Sequence, residues 1–197
     1  MAPKRICVYC ASSERVAEEY LQAAYRLGSI LAEHSVQIVF GGGRLGLMGK
    51  LAEGALANRG KIIGILPRFM QDLEWGHPNL TELQLVDDMR ERKRRLLLDS
   101  DAVVALPGGC GTLEELLEAI TLKRLGLYFN PVIIVNIASF FDPLLAMLDR
   151  TIKQGFMAPQ HADMWVAVPN PEDVLPAISN CHTWPDHARD FAVLTRE

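Results

Sequence analysis

A glycine-rich segment at 107–115 has residue types that could bind a phosphate and place a carboxylate near it. It reads Pro-Gly-Gly-Cys-Gly-Thr-Leu-Glu-Glu, and it joins an apolar run at 102–106 to a helical pattern at 113–125. Its glycines are Gly108, Gly109 and Gly111. Glycines let backbone N–H groups approach a ligand, and a helix N-terminus carries partial positive charge, so the segment favours a phosphate. Thr112 and Glu115 also have capping-box spacing, which is the commoner role for such a pair.

A second glycine-rich segment, Gly-Gly-Gly-Arg-Leu-Gly at 41–46, matches the pattern G-x-G-x-x-G. A dinucleotide site would follow the first strand and have an acidic residue about twenty positions later. This segment follows the second predicted strand, and no Asp or Glu occurs near 63–66. Arg68 leaves an NADP-dependent oxidoreductase as a weaker alternative. The candidate phosphate contacts are Gly42, Gly43 and Gly46, although tight turning and close helix packing would also explain these glycines.

Other reactive residue types give weaker signals. Cys7 and Cys10 form a C-x-x-C, but positions i and i+3 of a strand point to opposite faces, which indicates ordinary buried thiols. The five histidines lack metal-ligand spacing, so we expect no metal site. The basic run 90–95 cannot point all its charges one way, and one or two of them are expected to reach the cleft.

Composition limits the class of protein. The chain has 197 residues, 49% of them hydrophobic, with a net charge of −4. That size predicts one globular domain, and no apolar run is long enough to cross a membrane. The acidic balance argues against nucleic acid as a partner. Four unevenly spaced cysteines and no apparent signal peptide favour the cytoplasm.

Apolar runs that alternate with helical patterns predict a doubly wound parallel sheet, an α/β fold. Ser12 and Ser13 are expected to cap the first helix, and Gly60 to cap the end of the second. We expect a single domain over 1–180 and a loosely held tail over 181–197. The predicted strands are 5–10, 36–40, 62–66, 82–86, 102–106, 131–135 and 164–168. The longer predicted helices are 14–34, 47–58, 89–99 and 113–125. A further helix is predicted to begin at Asp142, and a short one at Asn170-Pro171.

Three segments together resemble the LOG ("Lonely guy") family of cytokinin riboside 5′-monophosphate phosphoribohydrolases, many of which were labelled lysine decarboxylases. The segments are Gly-Gly-Gly-x-x-Gly-Leu-Met-Gly at 41–49, Asp-Met-x-Glu-Arg-Lys at 88–93, and Pro-Gly-Gly-x-Gly-Thr-x-x-Glu at 107–115. The likeness extends from about residue 7 to residue 155. It implies a Rossmann-like homodimer that needs no cofactor.

The resemblance also implies a reaction and a set of site residues. The reaction is hydrolysis of the N-glycosidic bond of an adenine-type nucleoside 5′-monophosphate, often N6-substituted, to free base and ribose 5-phosphate. The family's catalytic arginine and glutamate correspond to Arg92 and Glu115. Substrate contacts correspond to Arg92 and Lys93, to the phosphate loop with Gly108, Gly109, Gly111 and Thr112, to Thr121, and to Glu74 as a possible donor to the leaving base.

The chain departs from the family pattern at Arg90, Leu122 and Arg124. The last two departures fall where base recognition and the dimer contact are expected. Plain AMP is therefore an alternative substrate, and a non-catalytic nucleotide-binding protein is an alternative function. A carboxylate beside the ribose fits glycosidic cleavage in either hydrolytic case, because positive charge develops on the sugar ring.

Overall fold

The computed structural model describes residues 3–71 and 76–192. Strands and helices alternate along the chain, as the hydrophobic pattern predicts. The strands are β1 (Arg5–Tyr9), β2 (Gln37–Phe40), β3 (Ile62–Pro67), β4 (Glu82–Val86), β5 (Ala102–Ala105), β6 (Val132–Val135) and β7 (Val166–Val168). The α-helices are α1 (Glu18–Glu33), α2 (Gly46–Ala57), α3 (Arg68–Gln71), α4 (Met89–Leu97), α5 (Cys110–Arg124), α6 (Asp142–Lys153) and α7 (Val174–Asn180).

The seven strands form one sheet in the order β4-β3-β2-β1-β5-β6-β7. Every neighbouring pair is parallel. Two hydrophobic clusters cover its faces: one packs α1, α2 and α7 on the sheet, and the other packs α4, α5 and α6. The predicted doubly wound α/β fold is therefore confirmed. Chain order reverses between β1 and β5, and ligands bind outside the carboxyl ends of strands at such a point.

Alternation of side chains across the sheet explains the C-x-x-C pair. Cys7 points into the cluster beneath α4, α5 and α6, whereas Cys10 belongs to the cluster beneath α1 and α2. Both thiols are free, and burial raises the pKa of each well above its usual value. The interpretation of Cys7 and Cys10 as buried structural thiols is confirmed.

Helix ends differ from the sequence prediction at three places. α5 begins at Cys110 with Gly109 as its N-cap, so Thr112 lies inside the first turn and the capping box is wrong. α1 begins at Glu18, and Ser13 instead accepts a hydrogen bond from the backbone N–H of Arg15 at 3.2 Å. The predicted cap by Ser12 and Ser13 is therefore also wrong.

The end of α2 shows a different use of glycine from the one predicted. Arg59, not Gly60, adopts the left-handed conformation there, with φ of 56°. A Cβ on Gly60 would lie 2.5 Å from the Cβ of Ala32. Gly60 therefore allows close packing against α1 and is not the C-terminal cap.

The segment 181–192 packs against the end of α5 instead of hanging free. Trp184 is buried, and its indole N–H donates to the carbonyl of Lys123 at 2.8 Å. Ala188 is fully buried, and Arg189 Nε donates to the carbonyl of Leu125 at 3.0 Å. The prediction of a loosely held tail is therefore wrong for 181–192.

Within the described ranges 3–71 and 76–192, the helices are too short or too polar to cross a lipid bilayer.

Candidate active site

A cavity of about 600 Å³ opens at the carboxyl ends of β1, β2, β3 and β5. It lies where the chain order reverses, the expected ligand position in an open α/β sheet. Both glycine-rich segments reach it, α4 and α5 supply Arg92 and Glu115, and the first segment supplies Arg44. Its lining residues are Cys10, Ala11, Ser12, Ser13, Gly41, Gly43, Arg44, Leu45, Met48, Leu66, Met70, Met89, Arg92, Gly109, Gly111, Thr112 and Glu115.

A buried ion pair joins α4 to α5 at this cavity. Arg92 Nη1 lies 2.8 Å from Glu115 Oε1, and both side chains are about 7% exposed. The Nε of Arg92 also donates to the carbonyl of Ile65, on β3, at 3.1 Å. The guanidinium is therefore fixed between strand β3 and helix α5. The structure brings together the two residues predicted to be catalytic.

The start of α4 explains why Arg92 points inward. Asp88 caps the helix by accepting a hydrogen bond from the backbone N–H of Glu91 at 2.8 Å. Met89 and Arg92 are then three residues apart on one face, and both line the cavity. The expectation that part of the basic run reaches the cleft is confirmed for Arg92.

Electrostatics at Glu115 combine burial with a neighbouring cation. Burial raises the pKa of Glu115, and the Arg92 guanidinium opposes that shift. Glu114 and Glu118 raise the pKa further, whereas Lys93 lowers it. A buried carboxylate of this kind holds its proton more readily than an exposed one and can exchange protons nearer neutral pH.

Lys93 and Thr121, both predicted to contact substrate, do not line this cavity. Lys93 Nζ pairs with Glu114 at 2.6 Å and with Glu118 at 3.2 Å. Thr121 is exposed on α5, and its hydroxyl donates to the carbonyl of Leu117 at 2.7 Å. Both belong to an outer surface formed by α4 and α5.

The glycines of the two segments divide into those that face the cavity and those that allow close packing. A Cβ on Gly109 or Gly111 would meet no other atom within 4 Å, so their backbone is open to a ligand. A Cβ on Gly108 would lie 2.1 Å from Thr112 Oγ1. Gly108 therefore makes room for a site side chain and does not line the cavity itself.

Among the first-segment candidates, Gly43 lines the cavity together with Gly41, which the sequence did not single out. Gly42 and Gly46 have φ of 79° and 59°, conformations that favour glycine. A Cβ on Gly46 would also lie 2.4 Å from the backbone oxygen of Ser13. Turning and close packing explain Gly42 and Gly46, and neither residue lines the cavity, so their contact with phosphate stays a prediction.

Sequence reasoning missed the apolar wall of the cavity. Met48, Met70 and Met89 come from three different helices, and Leu45 and Leu66 complete the wall. Isolated methionines carry no spacing signal in the sequence. Ser12 and Ser13 were misassigned, and their position directly after β1, at the carboxyl edge, was the available clue.

Glu74, the possible donor to the leaving base, lies outside the described residues. Over 3–71 and 76–192, the histidine, cysteine and acidic side chains form no group of three suited to hold a metal ion.

Comparison with known proteins identifies relatives of this chain. The family model described as "Possible lysine decarboxylase" matches residues 48–178. The rice (Oryza sativa subsp. japonica) protein named "Probable cytokinin riboside 5′-monophosphate phosphoribohydrolase LOGL9" is 40% identical over 167 residues, covering 85% of this chain and 74% of the relative. Arabidopsis thaliana "Cytokinin riboside 5′-monophosphate phosphoribohydrolase LOG3" is 36% identical over 182 residues, covering 91% of this chain and 85% of the relative.

Solved structures of less similar sequence share the same fold. The X-ray structure of TM1055 superposes with a TM-score of 0.71 at 25% identity, covering 89% of this chain and 98% of that one. The molybdenum cofactor carrier protein of Chlamydomonas reinhardtii gives a TM-score of 0.70 at 21% identity, covering 90% and 96%. The second likeness shows the fold alone. Because the family model covers most of the chain and the curated relatives share more than a third of its residues, the chain belongs to the LOG family.

Proposed function

We propose that this chain hydrolyses the N-glycosidic bond of nucleoside 5′-monophosphates, giving free base and ribose 5-phosphate. The observation that carries the proposal is the buried Arg92–Glu115 pair at the edge of a cavity entered by two glycine-rich segments. The names of the rice and Arabidopsis relatives support this reaction.

The chemistry assigns one task to each charged group. The bond between C1′ and the base nitrogen breaks, and its electron pair leaves with the base while positive charge grows on the ribose ring. Water adds to C1′, and the Glu115 carboxylate takes the water proton or offsets the ring charge. Arg92 holds that carboxylate in place by a charge-assisted hydrogen bond of 2.8 Å. The base takes up a proton as it leaves, and Glu74 remains the proposed donor.

The proposed phosphate position is the start of α5. Gly109 and Gly111 have open backbone there, and Thr112 adds a hydroxyl beside them. A helix N-terminus attracts an anion through its free N–H groups and its dipole. Glu115 follows Thr112 by three residues, so phosphate and carboxylate would contact opposite ends of one ribose 5-phosphate.

The proposed substrate is an adenosine 5′-monophosphate with an apolar N6 substituent. The methionine and leucine wall supports this choice, because thioether side chains adapt to irregular apolar groups. Plain AMP remains the alternative substrate, and a nucleotide-binding protein without catalysis remains the alternative function. The departures at Leu122 and Arg124 keep both open.

Two other activities fit the site less well. A decarboxylase with pyridoxal phosphate would need a lysine to hold the cofactor, and the described cavity lining contains none. An NADP-dependent oxidoreductase would use Arg68, but Arg68 pairs with Asp87 at 3.2 Å and is not part of the lining.

A homodimer is part of the proposal. Leu117 is an exposed apolar residue on α5, Leu125 directly follows the helix, and Leu127 and Phe129 lie in the next loop. Leu117 and Thr121 share one face of the helix, which would bring Thr121 to the dimer contact. We expect a dimeric mass by light scattering at micromolar concentration and a monomer for Leu117→Lys. Met147→Lys, at an exposed methionine of α6, is the matched control and should stay dimeric.

A cytoplasmic setting is proposed on separate grounds. All four cysteines are free thiols in the structure, which fits a reducing compartment.

The deciding experiment incubates the pure protein with AMP and with isopentenyladenosine monophosphate and separates the products by chromatography. Free base and ribose 5-phosphate in equal amounts support the hydrolase. Intact nucleotide that binds without cleavage supports the binding protein. A faster reaction with the N6-substituted nucleotide would distinguish it from AMP as the preferred substrate.

A further inference from the structure

We infer that Gly41 is a positioning residue for Arg92, acting through the absence of its side chain. The inference rests on the proposed function only in the experiments that measure activity. Gly41 is the first residue after β2, and it touches the cavity beside the Arg92–Glu115 pair.

The space at Gly41 is already filled by two site side chains. A Cβ built on Gly41 would lie 2.3 Å from Arg92 Nη2 and 2.9 Å from Met48 Cε. Real Cβ atoms do not approach other atoms so closely, so one of these groups would have to move. The Met48 methyl group is the end of a flexible chain, whereas the guanidinium is held.

Three contacts fix the guanidinium. Its Nε donates to the carbonyl of Ile65 at 3.1 Å, its Nη1 donates to Glu115 at 2.8 Å, and its Nη2 lies against Gly41. The side chain is only 7% exposed and is held by both hydrogen bonds, so it can move away from Gly41 only toward the cavity and only by giving up one of them. Adding a methyl group at Gly41 would therefore push Arg92 away from Glu115 or break its bond to β3.

Backbone conformation does not explain this glycine. Gly41 lies outside the left-handed region, unlike its neighbour Gly42 with φ of 79°. Alanine at position 41 is thus compatible with the backbone, and its effect would come from the side-chain collision. This distinguishes Gly41 from Gly42 and Gly46, where any side chain would strain the loop itself.

Gly43 provides a matched control in the same loop. A Cβ there would meet Met48 Sδ at 2.8 Å and would reach no atom of Arg92 among its nearest neighbours. Gly43→Ala therefore disturbs Met48 alone, whereas Gly41→Ala disturbs Met48 and Arg92. The difference between the two variants isolates the contact with the guanidinium.

The test is a double-mutant cycle between Gly41→Ala and Arg92→Ala. We expect Gly41→Ala to lower kcat by about 10²-fold, as for a catalytic group displaced by about 1 Å, with a smaller change in KM. In the Arg92→Ala background the same substitution should lower kcat no more than Gly43→Ala does, because only the contact with Met48 remains. Losses that multiply would overturn the inference, and Gly43→Ala is expected to combine multiplicatively with Arg92→Ala.

The pH profile supplies a readout that general loss of stability would not move. Displacing Arg92 removes the cation that lowers the pKa of Glu115, so the acid limb of kcat/KM should move to higher pH in Gly41→Ala and stay in place in Gly43→Ala. An unmoved limb in Gly41→Ala would contradict the inference. The groups facing Glu115 are Arg92 and Lys93 of α4, Glu114 and Glu118 of α5, and the buried Cys7, Tyr9 and Cys10, whose raised pKa values keep them neutral in this range.

Unfolding in urea tests the contact between Gly41 and Arg92 without any measurement of activity. Gly41→Ala should lower the unfolding midpoint, and adding it to Arg92→Ala should lower the midpoint no further than Gly43→Ala lowers that of wild type, because only the contact with Met48 remains. If Gly41→Ala does not fold, the double variant should recover folding, and its failure to do so would overturn the inference. Should the wild-type protein release no base from any nucleotide, the proposed function fails while this cycle still tests Gly41.

Discussion

The two ends of helix α5 each bury a positive charge, and they do so in different ways. At the first end, Arg92 is neutralised by Glu115 at 2.8 Å beside a cavity of about 600 Å³. At the other end, the ammonium of Lys123 donates to the carbonyl of Asn130 at 2.8 Å and lies 5.6 Å from the ring centroid of Trp184. Among the described residues Lys123 makes no ion pair, although it is only 3% exposed.

The difference separates the proposed catalytic pair from a cation that holds two parts of the fold together. Arg92 and Glu115 keep both charges next to open space, where a substrate can use them. Lys123 is held by a carbonyl and an aromatic ring, and Trp184 in turn donates to the Lys123 carbonyl at 2.8 Å. The first end of α5 therefore carries the proposed catalytic pair, and the other end attaches the segment 181–192 to the fold.

The largest expected effect comes from removing the charge of Glu115 while keeping its shape. In Glu115→Gln the amide oxygen can still accept from Arg92, so the helix contact should survive. A neutral amide cannot take a proton from water or offset ring charge, and acid–base roles are typically worth about 10²–10⁴-fold in rate. We expect base release to fall by that order, measured by chromatography at saturating nucleotide.

Glu118→Gln is the matched control for that experiment. Glu118 lies on the same helix and pairs with Lys93 at 3.2 Å outside the cavity. Its loss should change the rate by less than about 3-fold, in line with the small worth of exposed pairs. Near wild-type base release from Glu115→Gln would mean that the residue is only structural, and the carboxylate would have to be sought at Glu74.

The next effect concerns the phosphate at the start of α5. If Gly109, Gly111 and Thr112 bind the 5′-phosphate, adenosine loses two or more charge-assisted hydrogen bonds, each worth about 1.5–3 kcal/mol. We therefore expect kcat/KM for adenosine to be at least about 10²-fold below that for AMP. Equal kcat/KM values for the two substrates would show that the open glycine backbone does not bind a phosphate.

A smaller effect is the pH at which activity falls. Burial raises the pKa of Glu115 above the ordinary glutamate value of 4.5. If the ionised carboxylate is the active form, kcat/KM should decline as pH falls through that raised pKa, and so at higher pH than for an exposed glutamate. The profile of Glu115→Gln should lack this limb, and a limb retained in that variant would assign it to another group.

The comparison also shows what sequence could and could not predict. Apolar runs predicted the sheet because a parallel sheet covered on both faces needs them, and the resemblance to the LOG family implied that Arg92 and Glu115 act together. The capping-box interpretation failed because three more residues, Cys110 to Thr112, belong to the helix. Lys123 gave no signal, since its burial depends on Trp184, which is distant in sequence and belongs to a segment predicted to be loose.

Lys123 should affect activity least, and the pH dependence of stability tests whether it is as structural as the comparison implies. Burial lowers the pKa of Lys123 from 10.5 to about 8. Between those two values the unfolded chain keeps a proton that the folded chain has released, so rising pH favours the folded state in that window. Lys123→Met removes the titrating group and keeps much of the side-chain volume.

The measurement is the free energy of unfolding of wild type minus that of Lys123→Met, obtained with urea at several pH values. Below about pH 8 this difference should be constant, and between about pH 8 and 10.5 it should rise by on the order of 3 kcal/mol in favour of wild type. Both proteins carry Cys181→Ala, since that neighbouring thiol lines the same small cavity as Lys123 and would titrate too. A flat difference for Lys123 would mean that its ammonium stays hydrated, and the contrast between the two ends of α5 would lose its physical basis.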